Sequence, residues 1–114
     1  MVTLERTNRV ERAFNKPAYH YIRESDHLPT VEASAATRDP LALVKIFDPT
    51  GSWTWYIAAY DPDSHQAYGL VNGFEAEFGY IDMGELVRIR GQFGLPLERD
   101  LHWKPRRLSE CASS

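Results

Sequence analysis

Cysteine occurs once in the 114 residues, at Cys111, so the chain has no means of closing an internal disulfide or building a cysteine-based zinc site. Apolar runs are short. None approaches the ~20 residues needed to cross a bilayer, and Glu5 and Arg6 stand where the apolar core of a secretory signal would begin. A cytoplasmic protein that does not enter membranes is expected. The sequence also lacks a glycine-rich phosphate loop, a dinucleotide fingerprint and a nucleophile elbow, so no cofactor is expected. Basic side chains are scarce in the middle. Residues 41 to 85 hold Lys45 alone against Asp48, Asp61, Asp63, Glu75, Glu77, Asp82 and Glu85. The flanks differ: six bases and six acids precede this part, and six bases against three acids follow it. An acidic stretch of this kind orients a protein toward a basic partner, unless the basic flank lies beside it and neutralises it.

What is abundant is aromatic character around one run, Trp53-Thr54-Trp55-Tyr56-Ile57-Ala58-Ala59-Tyr60, closed by the turn signal Asp61-Pro62. Such residues fit a pleated, half-buried surface. Period-two alternation puts Trp53, Trp55, Ile57 and Ala59 on one side and Thr54, Tyr56, Ala58 and Tyr60 on the other. Aromatics on both sides predict a central strand covered on both faces. The chain length fits one domain with one core.

Before this run, residues 1 to 38 read as an arm with too few large apolar residues for a core of its own. Leu4, Val10, Ala13 and Phe14 form a weak helical stripe stopped by Pro17, and Tyr19 to Arg23 suits a short strand. Leu41 to Phe47 reads as a strand, and Asp48-Pro49-Thr50-Gly51-Ser52 is a short connection that makes it the antiparallel neighbour of the central run.

After the central run, Gln66 to Val71 reads as a third strand, and Asn72-Gly73 is a hairpin signal of type I′, with positive φ at both positions. A two-residue turn would pair Val71 with Phe74, Gly69 with Ala76 and Ala67 with Phe78. That register places Gly69 and Ala76 under the next segment. There, Asp82 as N-cap, Glu85 as capping-box partner and Gly91 as C-terminal glycine predict a helix over 82–91. Glu98 to Trp103 reads as a last strand. Together these elements predict a small α+β domain over 39–108: an antiparallel meander of four or five strands, one helix packed on one face, an extended N-terminal arm and a tail from 109.

The stretch from Asp39 to Leu108 resembles a bacterial family known as domain of unknown function 2958. The residues that carry the resemblance are Leu43 to Phe47, Thr54-Trp55, Tyr60-Asp61-Pro62, Tyr68 to Val71, Phe78 to Ile81, Glu85-Leu86, Arg90-Gly91, Gly94-Leu95-Pro96, Leu97 to His102 and Leu108-Ser109. The family is found largely on plasmids and integrative elements. The resemblance implies a setting among the accessory functions of mobile DNA rather than a reaction.

Three groups of residues are candidates for chemistry. If Glu98-Arg99-Asp100-Leu101-His102 is extended, Glu98, Asp100 and His102 share one side, and a carboxylate two positions from a histidine can orient it for acid–base work. The bland reading is a surface ladder in which arginines neutralise the acids. Asp61-Pro62-Asp63-Ser64-His65 has oxygen and imidazole ligands at alternate positions. It lacks the glycine and the final glutamate of a calcium loop, so no metal is expected. Trp53, Trp55, Tyr56, Tyr60, Tyr68 and Trp103 could stack bases beside the C-terminal arginines, though the acids would repel phosphate. The reading favoured is a non-catalytic module that binds a protein partner through an acidic surface. Glu75, Glu77, Asp61, Asp63, Tyr60, Trp55 and Arg99 are its candidate contacts. The alternative is a small enzyme or nucleic-acid binder using Asp100 and His102 with flanking arginines.

Overall fold

The computed structural model describes residues 8–12 and 18–112. In chain order the elements are β1 (Arg9–Val10), β2 (Tyr19–His20), α1 (Val31–Ala35), β3 (Leu41–Ala42), β4 (Val44–Phe47), β5 (Thr54–Asp61), β6 (Gln66–Asn72), β7 (Ala76–Asp82), α2 (Met83–Leu86), β8 (Glu98–Arg99), β9 (Arg106–Arg107) and α3 (Leu108–Ala112). Five strands form an antiparallel sheet in the order β7-β6-β5-β4-β8, with β3-β9 and β1-β2 as separate two-stranded pairs. The protein is mostly β, broadly α+β, with a few short helices. Among the described residues no helix is long and apolar enough to cross a membrane.

The aromatic run forms β5, third of five strands, and Trp55 through Tyr60 are all buried. Its two faces feed two clusters. Trp55 and Ile57 pack with Val44, Ile46, Ala67, Ile81, Met83, Leu86 and Leu97, together with Val10, Tyr21 and Ile22. Tyr56 and Ala58 pack with Ala42, Leu70, Leu108 and Cys111. Each large side chain removed from water in this way contributes about 1.5–3 kcal/mol.

Tyr60 departs from simple alternation. It sits in the cluster of Trp55 and Ile57, because the β5–β6 register shifts between Ile57 and Ala59 and inserts Ala58 as a bulge. The bulge pushes backbone toward Gly69, where a Cβ would lie 1.8 Å from the Tyr56 carbonyl oxygen. Close approach at Gly69 therefore comes from the neighbouring strand. The segment after β7 is not involved.

Three further expectations are corrected. The Asn72-Gly73 hairpin exists, but Asn72 pairs with Ala76, Val71 with Glu77 and Gly69 with Gly79, leaving Gly73, Phe74 and Glu75 as the turn. Neither Asn72 nor Gly73 has positive φ, so the turn is not type I′. Gly73 is small for another reason: a Cβ there would meet the Trp53 ring at 2.6 Å. The odd shift in register exchanges faces, so Phe78 and Tyr80 lie on the side of Leu70 and Tyr68.

The helix after β7 is one turn. Asp82 does cap it, accepting from the N–H groups of Gly84 at 2.8 Å and Glu85 at 3.3 Å, but it ends at Val87. Gly91 has φ −84° and is no left-handed cap. A Cβ there would crowd the Asp48 carboxylate and Thr50 hydroxyl. The strand read over Leu41 to Phe47 is split at Leu43 into β3 and β4.

The N-terminal part contributes to the core directly. Asn8, Val10, Tyr21 and Ile22 are fully buried, and the Asn8 side-chain oxygen accepts from the Ile22 N–H. Of the weak helical stripe, Val10 falls in β1, while Leu4, Ala13 and Phe14 lie outside the described residues.

Candidate functional site

The cluster at Glu98 to His102 is not a continuous strand. β8 stops at Arg99, and Leu101-His102 form a turn. Asp100 holds that turn: one carboxylate oxygen accepts from the His102 backbone N–H at 2.9 Å, and the other lies 3.7 Å from the Lys45 ammonium. The proposed alternation of Glu98, Asp100 and His102 on one side fails with the strand, and the observed link from Asp100 to His102 runs to backbone rather than imidazole. Around the turn lies an open groove of about 380 Å³, lined by Lys45, Phe47, Arg99, Asp100, Leu101 and His102. Lys45 is drawn aside as well, 5.4 Å from the Trp103 ring centre. Its charge is shared between a carboxylate and an indole face.

Arg99 faces the interior. Its guanidinium grips both oxygens of Asp26 at 2.6 Å and the Tyr21 carbonyl at 2.9 Å. Burial by itself would raise the Asp26 carboxyl, but the hydrogen bonds from Arg99 and from the Arg23 backbone N–H hold it below the usual carboxylate range. Tyr21 donates to the Leu97 carbonyl at 2.8 Å, and its burial pushes the phenol well above its ordinary value. Trp55 and Tyr60 are also interior side chains. Trp55 and Tyr60 are not presented to a partner, and the Arg99 guanidinium is committed to Asp26 and the Tyr21 carbonyl.

The acids of the middle part do not form one patch. β5 runs away from the turn that carries Glu75, and β6 runs back toward it, so Asp61 and Asp63 lie at the opposite end of the sheet. Six strand steps of about 3.3 Å place the two ends about 20 Å apart. Asp61 is occupied there, accepting from the Val31 N–H at 3.0 Å, while Asp63 is exposed. Asp82 and Glu85 line a small cleft with Ser64, His65, Gln66, Tyr80 and Ile81 at that same end.

The other end holds the arrangement that sequence reasoning saw only in part. Trp53, Val71, Phe74, Glu75 and Glu77 line a groove of about 210 Å³ at the β6–β7 turn. Phe74 is 94% exposed yet held edge-on against Trp53, with ring centres 5.3 Å apart, and Trp53 is tilted against Trp55 at 6.0 Å. Glu75 and Glu77 are exposed, and neither enters an ion pair among the described residues. Trp53 and Phe74 were not singled out as partners of these acids. The signal was Gly73, whose lack of a side chain admits the indole. Chemically, the groove offers two carboxylates at the rim of an aromatic floor, an arrangement that attracts a cationic side chain. Among the described residues no three His, Cys, Asp or Glu side chains gather as metal ligands.

A sequence profile for the family described as Protein of unknown function (DUF2958) matches residues 20–113. The chain belongs to this family. The match begins earlier than the stretch at Asp39, and so takes in the Tyr21, Ile22 and Asp26 segment that packs against β8. No curated protein matches the chain, and no solved structure does either.

Proposed function

We propose that this DUF2958 protein is a non-catalytic accessory protein of mobile DNA, which acts by binding a protein partner through the acidic tip of its β6–β7 hairpin. The observation that carries the reading is the pairing of two exposed carboxylates, Glu75 and Glu77, with an aromatic floor of Trp53 and Phe74. A lysine or arginine fits such a place by laying its charge over the indole while its donors meet the carboxylates. Each exposed ion pair contributes about 0.2–1 kcal/mol and a cation over an exposed ring about 0.5–1 kcal/mol. A single basic side chain is therefore too little, and the partner presents a segment with several. The setting on mobile DNA rests on the family resemblance alone.

Catalysis by Asp100 and His102 has less support, because the Asp100 carboxylate is engaged by the turn it stabilises and by Lys45. The experiment that tests the binding reading is charge reversal of Glu75 and Glu77 to lysine, followed by titration with an arginine- and lysine-rich peptide. Loss of binding supports it. Unchanged affinity removes the acidic tip from consideration.

A further inference from the structure

The two edges of the five-stranded sheet are treated differently. At one edge β8 is two residues long and is covered, since Tyr19 and Tyr21 both donate to the Leu97 carbonyl and the Arg99 N–H donates to the Tyr19 hydroxyl. At the other edge β7 is seven residues long, paired on one side only, and exposed at Ala76, Glu77, Phe78, Tyr80 and Asp82. Natural sheets guard such an edge with proline, lysine, a bulge or a covering segment. β7 contains no proline or lysine, its only charges are Glu77 and Asp82, and its register with β6 is unbroken. Two large side chains are displayed on one face of this strand, Phe78 at 53% and Tyr80 at 66% exposure.

We propose that two copies of the chain associate through β7, antiparallel and centred on Gly79, to form one continuous ten-stranded sheet. The partner follows from the order of residues along the strand. In a two-fold antiparallel pair each residue must face one of the same parity, because opposed side chains share a sheet face. Centring on Gly79 sets Phe78 opposite Tyr80 of the second copy and Tyr80 opposite its Phe78. The existing edge-on contact of Tyr80 with Tyr68, at 5.9 Å, thereby becomes part of a patch of six rings, two rows of three. Glu77 falls opposite Ile81 and Asp82 opposite Ala76, so no carboxylate directly faces another.

Centring on Phe78 instead would set Asp82 against Phe74 and leave Tyr80 facing Ala76. An arbitrary partner strand has no reason to match this near-symmetry of aromatic positions about a glycine. A second copy matches it by construction.

The interface is small. An aromatic ring buries about 150–250 Å² when fully covered, so the exposed parts of four rings supply on the order of 400 Å², and the strand ladders must add the remainder of an interface at the low end of stable sizes. The seam also gathers Glu75, Glu77, Asp82 and Glu85 of both copies, which repel one another unless screened. Self-association should therefore strengthen as salt is added, the reverse of binding between acids and a basic partner. This inference uses the edge and the aromatic face of the hairpin and does not depend on the Glu75–Glu77 groove.

Sedimentation equilibrium of the full chain over a dilution series, at low and at high salt, is expected to show monomer and dimer in exchange, with the dimer favoured severalfold at high salt. Phe78→Lys with Tyr80→Lys should abolish the dimer while leaving the far-ultraviolet spectrum unchanged, since both positions are exposed. The register is read by cross-linking in a Cys111→Ala background. Opposed Cα atoms in an antiparallel pair are about 5 Å apart, within disulfide reach. Gly79→Cys should cross-link to itself, while Phe78→Cys and Tyr80→Cys should cross-link efficiently only when the two variants are mixed. A chain that stays monomeric at every concentration and salt, a dimer indifferent to the two lysines, or self-linking of Phe78→Cys as readily as the mixture would each overturn the proposal. A basic peptide that still binds the Glu75–Glu77 groove in those cases would show that the failure is confined to the β7 edge.

Discussion

Arg99 holds Asp26, 73 residues earlier in the chain, by two hydrogen bonds of 2.6 Å, and so fastens the segment before α1 to the last strand of the sheet. Both side chains are largely shielded from water. Removing one partner of a buried pair leaves the other charge uncompensated, at a cost of about 3–5 kcal/mol. Asp26→Asn is expected to lower the unfolding free energy at neutral pH by about 3 kcal/mol in urea titrations. The pH dependence follows from the lowered Asp26 carboxyl. Its contribution is fully present above the ordinary carboxylate value and is lost as pH falls through its depressed folded value. The gap between wild type and Asp26→Asn should narrow as the solution is acidified through the ordinary carboxylate range and close once pH falls past the depressed folded value. A gap constant with pH would show that the pair does not carry this stability.

Gly69 and Gly79 lie opposite each other in the β6–β7 ladder and should respond in opposite ways to alanine. At Gly69 the added Cβ would overlap the Tyr56 carbonyl oxygen at 1.8 Å, so backbone must move and the bulge in β5 must be given up. A loss of more than about 4 kcal/mol is expected, enough to unfold many domains of this size. At Gly79 the space is open, and alanine in a strand is expected to be neutral or better by about 0.5–1 kcal/mol. Thermal melts of the two variants test the contrast, and equal effects would contradict the bulge.

Phe93 has φ 61° and is 88% exposed, a conformation that costs a bulky residue about 1–2 kcal/mol without burial to compensate. Phe93→Gly should raise stability by about 1 kcal/mol. A decrease in the midpoint of urea unfolding would mean that the ring makes stabilising contacts.

Asp100 and His102 separate structure from chemistry at the turn after β8. Asp100→Ala removes the acceptor for the His102 N–H and the partner of Lys45, and should cost about 1 kcal/mol. His102→Gln, at an exposed turn position, should change stability by less than about 0.5 kcal/mol. Equal losses in chemical denaturation would place the imidazole in the fold itself.

Much of the sheet could be read from residue pattern alone, because β5 carries its own signal in Trp53 to Tyr60 and the short Asp48 to Ser52 connection forces an antiparallel neighbour. The register after Gly73 could not. Asn72-Gly73 has a local preference for a two-residue turn, but the Trp53 ring takes the space above Gly73, and that contact joins residues twenty positions apart. The bulge at Ala58 depends in the same way on Gly69 across the ladder. The helix at Met83 began where Asp82 placed it and stopped early, because Gly91 is set by the Asp48–Thr50 turn rather than by a helix end. For the site, sign of charge picked out Glu75 and Glu77, but charge says nothing of distance. Asp61 and Asp63 belong to the far end of the sheet, and Arg99 turned inward to Asp26 in the N-terminal part.

The most direct test of the binding account is a tryptophan-fluorescence titration of the full chain with a short arginine- and lysine-rich peptide, repeated with Glu75→Lys/Glu77→Lys and with Trp53→Phe. The account predicts saturable quenching that weakens as salt rises, disappears in the charge-reversed variant and loses its optical signal in Trp53→Phe. Quenching that survives reversal of both glutamates, or its absence in the wild type at low salt, would contradict it.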